Sequence, residues 1–90
     1  MLTLRECLND IPDKDRLISI NPVLYSETTK AKLNIIAFPD YQGKLTEINT
    51  EELDLDAEVI KFENVCIDGI LWTEVFIREF VTVEGSHDET

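Results

Sequence analysis

Residues 59–81 read VIKFENVCIDGILWTEVFIREFV, two apolar runs separated by Asp68-Gly69. Asp-Gly between apolar runs is the strongest short signal for a β-hairpin, because both residues readily adopt the backbone that a tight turn requires. A two-residue turn places Glu63 opposite Glu74, a mildly unfavourable pair of like charges, so a three-residue loop closed by Gly69 is an alternative. In either case the sequence predicts an antiparallel pair of strands.

The strand after this turn, at about 70–83, has large apolar side chains on both faces. Successive side chains of a strand point to opposite faces, so a strand with one wet face would be polar at every second position. Two apolar faces predict a central strand, or one that the N-terminal helix covers on one side and a partner on the other. One face carries Trp72, Phe76 and Phe80, and the other carries Leu71, Val75, Ile77 and Val81.

A capping box marks the start of an N-terminal helix. Thr3 and Glu6 have the spacing at which each side chain bonds the other's backbone N–H, and Leu2 and Cys7 are placed to form a hydrophobic staple. Residues 9–12 end the helix after about two turns. Because so short a helix is not stable alone, its apolar face must pack on a sheet. That face consists of Leu4, Cys7, Leu8 and Ile11.

Further strands are predicted between this helix and the hairpin. Residues 16–21 alternate, and Pro22 restricts a continuation over 23–25 to a sheet edge. The alternation of apolar and acidic residues from 53 slips phase at Val59-Ile60, which predicts a bulge or the true strand start. The other predicted elements are strands at 31–38, 44–48 and 53–59, a turn at 39–43, and a helical turn that Asn49 caps at 49–52.

These elements predict one α+β domain over residues 1–83, a short N-terminal helix packed on a mainly antiparallel sheet, a meander of about four to six strands. Residues 84–90 are polar and acidic, which predicts a disordered tail. A chain of 90 residues can bury one core without metal or disulfide support. Cys7 and Cys66 fall at apolar positions, which predicts buried thiols rather than a bridge.

The net charge of -11 lies entirely in the C-terminal half. Residues 1–46 hold six acids and six bases, whereas residues 47–90 hold thirteen acids and only Lys61 and Arg78, so 2 minus 13 gives -11. Such a half repels nucleic acid and anionic membranes and attracts basic surfaces, so we expect no direct nucleic-acid binding and no membrane partner. There is no run of eighteen apolar residues, and Met1 leads into a charged, capped helix, which predicts a cytoplasmic protein.

The histidines and cysteines that nucleophilic catalysis and zinc binding need are scarce. The only histidine, His87, lies in the predicted tail, and a zinc site needs about four Cys or His ligands. Asp54-x-Asp56-x-Glu58 resembles the start of a calcium loop, but Val59 stands where that loop needs glycine. The three glycines form no phosphate-binding loop. We therefore expect a protein that is not an enzyme and that has no cofactor and no metal.

Six carboxylates fall within the twelve residues from 47 to 58. On a strand the side chains of one face repeat at about 6.6–6.8 Å, so such a row imitates a string of phosphates and attracts a basic groove that binds nucleic acid. The alternative is a solvated sheet face whose acids only keep a small protein soluble. The predicted partner-binding residues are these six and three from the hairpin: Glu47, Glu51, Glu52, Asp54, Asp56, Glu58, Glu63, Trp72 and Glu74.

The pattern L-x-L-x-x-x-L-x-x-I-P-D within residues 2–20, a short helix running into a strand, resembles many small orphan proteins of bacteriophages and mobile elements. The acidic charge and the lone compact meander are similar too. Some such proteins inhibit bacterial defence systems, among them anti-CRISPR and anti-restriction proteins, and several of those are acidic nucleic-acid mimics. The resemblance covers the first twenty residues and the general character of the chain, and no functional residue is carried over from it. It implies an inhibitor that acts in the cytoplasm of the host cell.

Three functions stand as hypotheses. The first is a non-enzymatic inhibitor that docks its acidic face on the basic nucleic-acid-binding groove of a host defence protein. The second is a structural or assembly subunit that oligomerises through sheet edges and exposed aromatics such as Trp72. The third is a small-ligand sponge that binds nucleotide signals between subunits, which the acidic charge disfavours. The sequence is compatible with a monomer or a homodimer.

Overall fold

The structure, a computed structural model, describes residues 1–83, and the tail predicted at 84–90 lies outside the described residues. It contains one short helix and four strands, which confirms the α+β class. No helix in the described part of the chain is long and apolar enough to cross a membrane. The elements are α1 (Leu4–Asn9), β1 (Leu17–Ser26), β2 (Tyr41–Lys44), β3 (Val59–Ile67) and β4 (Ile70–Val81), with 3₁₀ turns at Leu45–Glu47 and Thr50–Glu52.

The four strands form one sheet in the order β2-β1-β4-β3. The two outer pairs are antiparallel, but β1 and β4 run parallel from Leu17 opposite Trp72 to Ser26 opposite Val81. The sheet is therefore mixed, with two antiparallel pairs and one parallel pair, and the predicted meander is wrong. The strand with two apolar faces, β4, takes a central place as predicted, with β1 paired on one edge and β3 on the other. The short β2 and the more polar β3 form the edges.

The hairpin of β3 and β4 has a two-residue turn at Asp68-Gly69 rather than a three-residue loop. Asp68 has φ 53° and Gly69 has φ 78°, as a type I′ turn requires. Glu63 lies directly opposite Glu74, so the loop contains two residues and not three. The local turn chemistry therefore outweighs the repulsion between these two carboxylates.

The helix packs on one face of the sheet, called here the helix face. The capping box is confirmed, because the N–H of Glu6 donates to the Thr3 hydroxyl at 3.2 Å and the N–H of Thr3 donates to Oε1 of Glu6 at 2.9 Å. Cys7 is buried as predicted, whereas Cys66 is exposed, since β3 extends beyond the part of the sheet that α1 covers. The core contains Leu4, Cys7 and Leu8 of α1 and Ile18, Ile20, Val75 and Ile77 of the sheet.

The opposite face of the sheet, called here the open face, carries no helix among residues 1–83. Cationic side chains cover part of its aromatic rings: Lys30 lies 4.7 Å from the Phe80 centroid, Lys61 lies 5.5 Å from that of Phe76, and Arg78 lies 4.6 Å from that of Tyr25. Such contacts stabilise a partly wet aromatic surface. The register places these residues on the open face: Asn21, Val23, Tyr25, Lys61, Glu63, Trp72, Glu74, Phe76, Arg78 and Phe80.

The strands predicted at 31–38 and 44–48 do not form at those positions. The segment at 31–38 contributes only a single bridge, between Lys32 and Tyr25, and otherwise has no regular structure. The strand predicted at 44–48 lies earlier, as β2, and Leu45 instead begins a 3₁₀ turn and is buried. A four-residue β2 leaves most of β1 without a partner on that side. The continuation of β1 past Pro22 is therefore an edge, as predicted.

Proline explains why the segment at 31–38 does not pair with this edge. The N–H of Leu33 donates to the C=O of Leu24, and the N–H of Asp40 donates to the C=O of Ile20. Backbone groups of alternate residues point to the same edge, so the nitrogen of Pro22 faces the segment but has no proton to donate. The segment therefore bulges away from β1. Between these two hydrogen bonds it is seven residue steps long, from 33 to 40, whereas β1 is only four steps long, from 20 to 24.

Candidate acidic binding surface

The acidic segment at 47–58 follows an irregular path between β2 and β3. Glu47 ends the first 3₁₀ turn, and Glu51 and Glu52 lie in the second. The side chain of Asn49 accepts the N–H of Glu51 at 3.1 Å, so the predicted Asn49-capped turn is confirmed. The acids of both turns are exposed, and in the first turn it is Leu45 that points inward.

The strand predicted at 53–59 does not form. Oδ1 of Asp54 accepts the N–H of Asp56, and the C=O of Asp54 accepts the N–H of Ala57, both at 3.1 Å, so Asp54 folds the chain into a turn. Regular strand structure begins only at Val59, and the register slips immediately afterwards, so the predicted strand start and the predicted bulge are both present. Without a strand, the even spacing predicted for the carboxylates is absent from this segment.

The alternation of this segment nevertheless separates buried from exposed side chains. Leu53 and Leu55 pack against the core and Ala57 is buried, whereas Asp54 and Asp56 between them are exposed. A period of two therefore indicates which side chains face the core, even where no neighbouring strand pairs with the backbone.

The start of α1 holds this segment in place. The N–H of Leu4 donates to the C=O of Ala57, and the N–H of Arg5 donates to the C=O of Leu55, each at 2.9 Å. The first N–H groups of a helix have no partner within it, so these carbonyls satisfy two of them. The helix cap and the acidic segment consequently form one hydrogen-bonded unit.

Two acids of the segment are partly neutralised. Asp56 lies 3.3 Å from Arg5, and Glu58 lies 3.4 Å from Nε of Arg78. Within residues 1–83 the remaining four have no ion-pair partner: Glu47, Glu51, Glu52 and Asp54. The uncompensated negative charge of the segment therefore lies in its first eight residues.

Four carboxylates surround an open depression of about 340 Å³. Glu52 and Asp54 come from the acidic segment, Asp40 precedes β2, and Glu79 comes from β4. The only cation among its lining residues is Arg78, whose guanidinium is already beside a carboxylate and an aromatic ring. This group of Asp40, Glu52, Asp54 and Glu79 is called here the acidic depression.

The acids of this depression repel one another. Burial raises the pKa of Glu79, and the neighbouring Asp40 and Asp54 raise it further. Burial also raises the pKa of Asp40. Partial desolvation and like charges both disfavour an ionised carboxylate. A cation placed in the depression would relieve both effects.

Sequence reasoning misses Asp40 and Glu79. Asp40 lies in a turn outside the acidic run, and no local pattern marks it. Glu79 follows Ile77 at two-residue spacing on the helix face of β4, at the point where that face passes from buried to exposed positions. An acid on a mainly apolar strand face is a signal that could have identified Glu79, because charged residues are uncommon on a face that packs against a core.

Three predicted residues lie on the open face, away from the acidic depression. Glu63 and Glu74 are opposite each other there, and Glu63 also lies 3.7 Å from Lys61. Trp72 lies two residues before Glu74 on the same face of β4 and is half-buried. The structure therefore separates the three hairpin residues from the six acids at 47–58, and of the nine predicted residues it brings only Glu52 and Asp54 into the depression.

Other kinds of site have little support in the described part of the chain. Within residues 1–83 no three His, Cys, Asp or Glu side chains are grouped closely enough to hold a metal ion. Cys7 and Cys66 are free thiols. Comparison with protein-family models, with characterised proteins and with solved structures finds no match.

Proposed function

We propose that this chain is a non-enzymatic binding protein that docks an acidic surface on the basic, nucleic-acid-binding groove of another protein, as a phage-type inhibitor of a host defence protein would in the host cytoplasm. The acidic surface is defined as the acidic depression together with Glu47 and Glu51. The observation that carries the proposal is the absence of any ion-pair partner, within the described residues, for Glu47, Glu51, Glu52 and Asp54.

Long-range attraction and short-range bonding both favour a basic partner. A net charge of -11 steers positively charged surfaces toward the molecule, and this effect weakens as salt screens it. At contact, Arg and Lys side chains form charge-assisted hydrogen bonds with carboxylates. Because these acids lie on turns, the surface imitates the charge of nucleic acid rather than the even spacing of its phosphates.

Matched charge reversals separate this surface from the general acidity of the chain. The test variant carries Glu52→Lys and Glu79→Lys in the acidic depression, and the control carries Glu63→Lys and Glu74→Lys on the open face. Both change the net charge by the same amount. Asp54 is left intact because its carboxylate holds a turn, and Asp56 and Glu58 are left intact because Arg5 and Arg78 already partly neutralise them. The control loses only the exposed pair of Lys61 and Glu63, which contributes little to stability.

The tagged proteins are used to capture partners from a bacterial lysate at low and at high salt, with mass spectrometry of what is bound. We expect the native chain and the open-face control to retain a nucleic-acid-processing protein at low salt and lose it at high salt. The depression variant should lose it at both. Equal loss with both variants would mean that only net charge matters, and capture of the bait alone would contradict the proposal.

A second candidate function, an assembly subunit, is favoured by the outer edge of β3. Apart from the bridge of Thr3 to Glu58 just before it, this strand pairs only with β4 within residues 1–83. An unpaired edge beside exposed apolar side chains is a template for pairing with another chain. The exposed apolar residues and thiol near this edge are Phe62, Cys66, Ile67, Ile70 and Leu71.

Light scattering over a range of concentrations tests this candidate. An assembly subunit should form a homodimer or larger species, and Phe62→Lys should abolish it, because a charge on an edge strand opposes pairing. The depression variant should leave this self-association unchanged. A strict monomer at high concentration would exclude the candidate.

A further inference from the structure

A groove of about 840 Å³ opens between the open face and the irregular segment at 32–37. The sheet contributes Val23 and Phe76, the bulge at the start of β3 contributes Ile60, and the segment contributes Leu33 and Ile35. The volume is within the range of about 300–1,000 Å³ that is typical of sites for small molecules. Most of the side chains that line the groove are aliphatic, which suits an aliphatic ligand better than a polar one.

Two lysines line this groove, and no carboxylate does. Lys32 lies opposite Tyr25 and Lys61 opposite Phe76, so both belong to the open face. Lys61 is partly engaged, since its ammonium lies 3.7 Å from Glu63. The ammonium of Lys32 has no ion-pair partner in the described part of the chain. In a chain with a net charge of -11, this groove is an apolar site with local positive charge.

The segment has the freedom to adjust to an occupant. It is longer than the stretch of β1 that it accompanies, and it is bonded to β1 only near its two ends. Ile35, which lines the groove, is 57% exposed, so a ligand would bury more of it. Additional burial of apolar surface is the main source of affinity in such a site.

We propose that this groove binds a single-chain aliphatic carboxylate of the fatty-acid type. The hydrocarbon chain lies along Val23, Ile60 and Phe76, and the carboxylate pairs with the ammonium of Lys32. The aliphatic lining matches the hydrocarbon chain of such a molecule, and the unpaired ammonium of Lys32 matches its carboxylate. A nucleotide fits less well, since the groove has no glycine-rich loop to present backbone N–H groups to phosphates. This site is independent of the acidic surface, which lies elsewhere on the molecule.

Calorimetry with hexanoate, octanoate and decanoate, below the concentration at which they form micelles, tests the proposal. We expect one saturable site whose Kd falls by up to roughly four-fold per added methylene, because each buried methylene adds a constant apolar contribution. Uncharged 1-octanol should bind roughly five-fold more weakly than octanoate, since it lacks the ion pair. Absence of saturable binding, or a Kd that does not depend on chain length, would overturn the proposal.

Variants locate the site. Lys32→Gln should weaken octanoate binding by roughly five-fold, and Ile35→Ser should weaken it several-fold. Both residues are exposed, so circular dichroism should show an unchanged fold. The matched controls are Lys44→Gln, a lysine outside the groove on the short edge strand, and Phe38→Ser, an exposed aromatic of the same segment that does not line the groove. The controls should leave the Kd unchanged. If Leu71→Ser at the hairpin end abolishes binding while Ile35→Ser does not, the groove is not the site.

Discussion

The hairpin at 59–81 and the acidic segment at 47–58 have similar patterns in sequence and different structures. Residues 53, 55 and 57 of the segment face the core, and so do residues 73, 75 and 77 of β4, so every second side chain points inward in both stretches. Only the hairpin is built of strands. Its Asp68-Gly69 turn brings a second strand alongside the first, whereas Asp54 in the acidic segment bonds its own neighbours.

This difference shows that a two-residue period reports burial and that strand structure needs a partner as well. The backbone groups of a strand must be satisfied by a neighbour. In the acidic segment the first N–H groups of α1 take two of the available carbonyls, and short turns take others. The segment is therefore fixed by a helix cap, and its stability should depend on different residues from those of the hairpin.

The largest expected effect comes from truncating the buried side of the hairpin. Ile77→Ala, at a position that is 3% exposed, should lower the free energy of unfolding by about 2–5 kcal/mol, because it leaves a cavity in the core. Leu55→Ala, at the corresponding inward position of the acidic segment, is only half-buried and should cost clearly less. Urea unfolding of both variants measures the difference. Equal losses would mean that the segment is as much a part of the core as the hairpin is.

The second largest loss of stability is expected from a change in the Asp68-Gly69 turn of the hairpin. Gly69→Ala should destabilise the protein by about 1–2 kcal/mol, because a side chain at φ 78° is strained. No atom lies within 4 Å of the added Cβ, so the loss isolates backbone strain from crowding. Gly69→Asn should restore part of the stability, since asparagine tolerates this conformation. Thermal unfolding of the two variants would contradict this account if alanine and asparagine were equivalent.

A smaller loss of stability is expected when the helix cap, which holds the acidic segment in place, is removed. Thr3→Ala removes the capping hydroxyl and should cost about 1 kcal/mol. The N–H of Val59 bonds the C=O of Leu2 at 2.8 Å, so its hydrogen exchange should accelerate in this variant, whereas exchange at the hairpin turn should not. Thr46→Ala, an exposed threonine in the first 3₁₀ turn, is the control. Unchanged exchange at Val59 would show that the cap and the segment are uncoupled.

Local signals made the helix, the hairpin and the bulge predictable. The capping box, the Asp-Gly turn and the phase slip at Val59-Ile60 each act over a few residues, so one sequence contains all the information they need. The parallel pairing of β1 with β4 joins residues that are about fifty positions apart, and no local pattern specifies it. The strand at 31–38 failed for a related reason, because its partner would have been the stretch around Pro22, which lacks the required donor.

The sequence predicts that an acidic surface exists, but it does not predict all the residues that form it. Counting charges along the chain finds the segment at 47–58, yet Asp40 and Glu79 join Glu52 and Asp54 only because the fold brings three separate stretches together. Conversely, the ion pairs of Asp56 and Glu58 with Arg5 and Arg78 cannot be read from spacing. Tertiary contacts decide which acids keep an uncompensated charge.

The smallest effect tests whether the acids of the depression repel one another. The pKa of Glu79 is raised above its ordinary value of 4.5, so the native state binds more protons than the unfolded state, and the free energy of unfolding should fall as the pH rises from that value through the raised one. Glu79→Gln should therefore be more stable than the native chain near neutral pH and almost equal to it below the ordinary pKa. Glu51→Gln removes the same charge outside the depression and is the control for net charge. Urea unfolding over this pH range measures the gain in the free energy of unfolding that Glu79→Gln produces. If that gain persists unchanged in acid, or if Glu51→Gln produces the same gain, the repulsion is general to the chain rather than local to these four carboxylates.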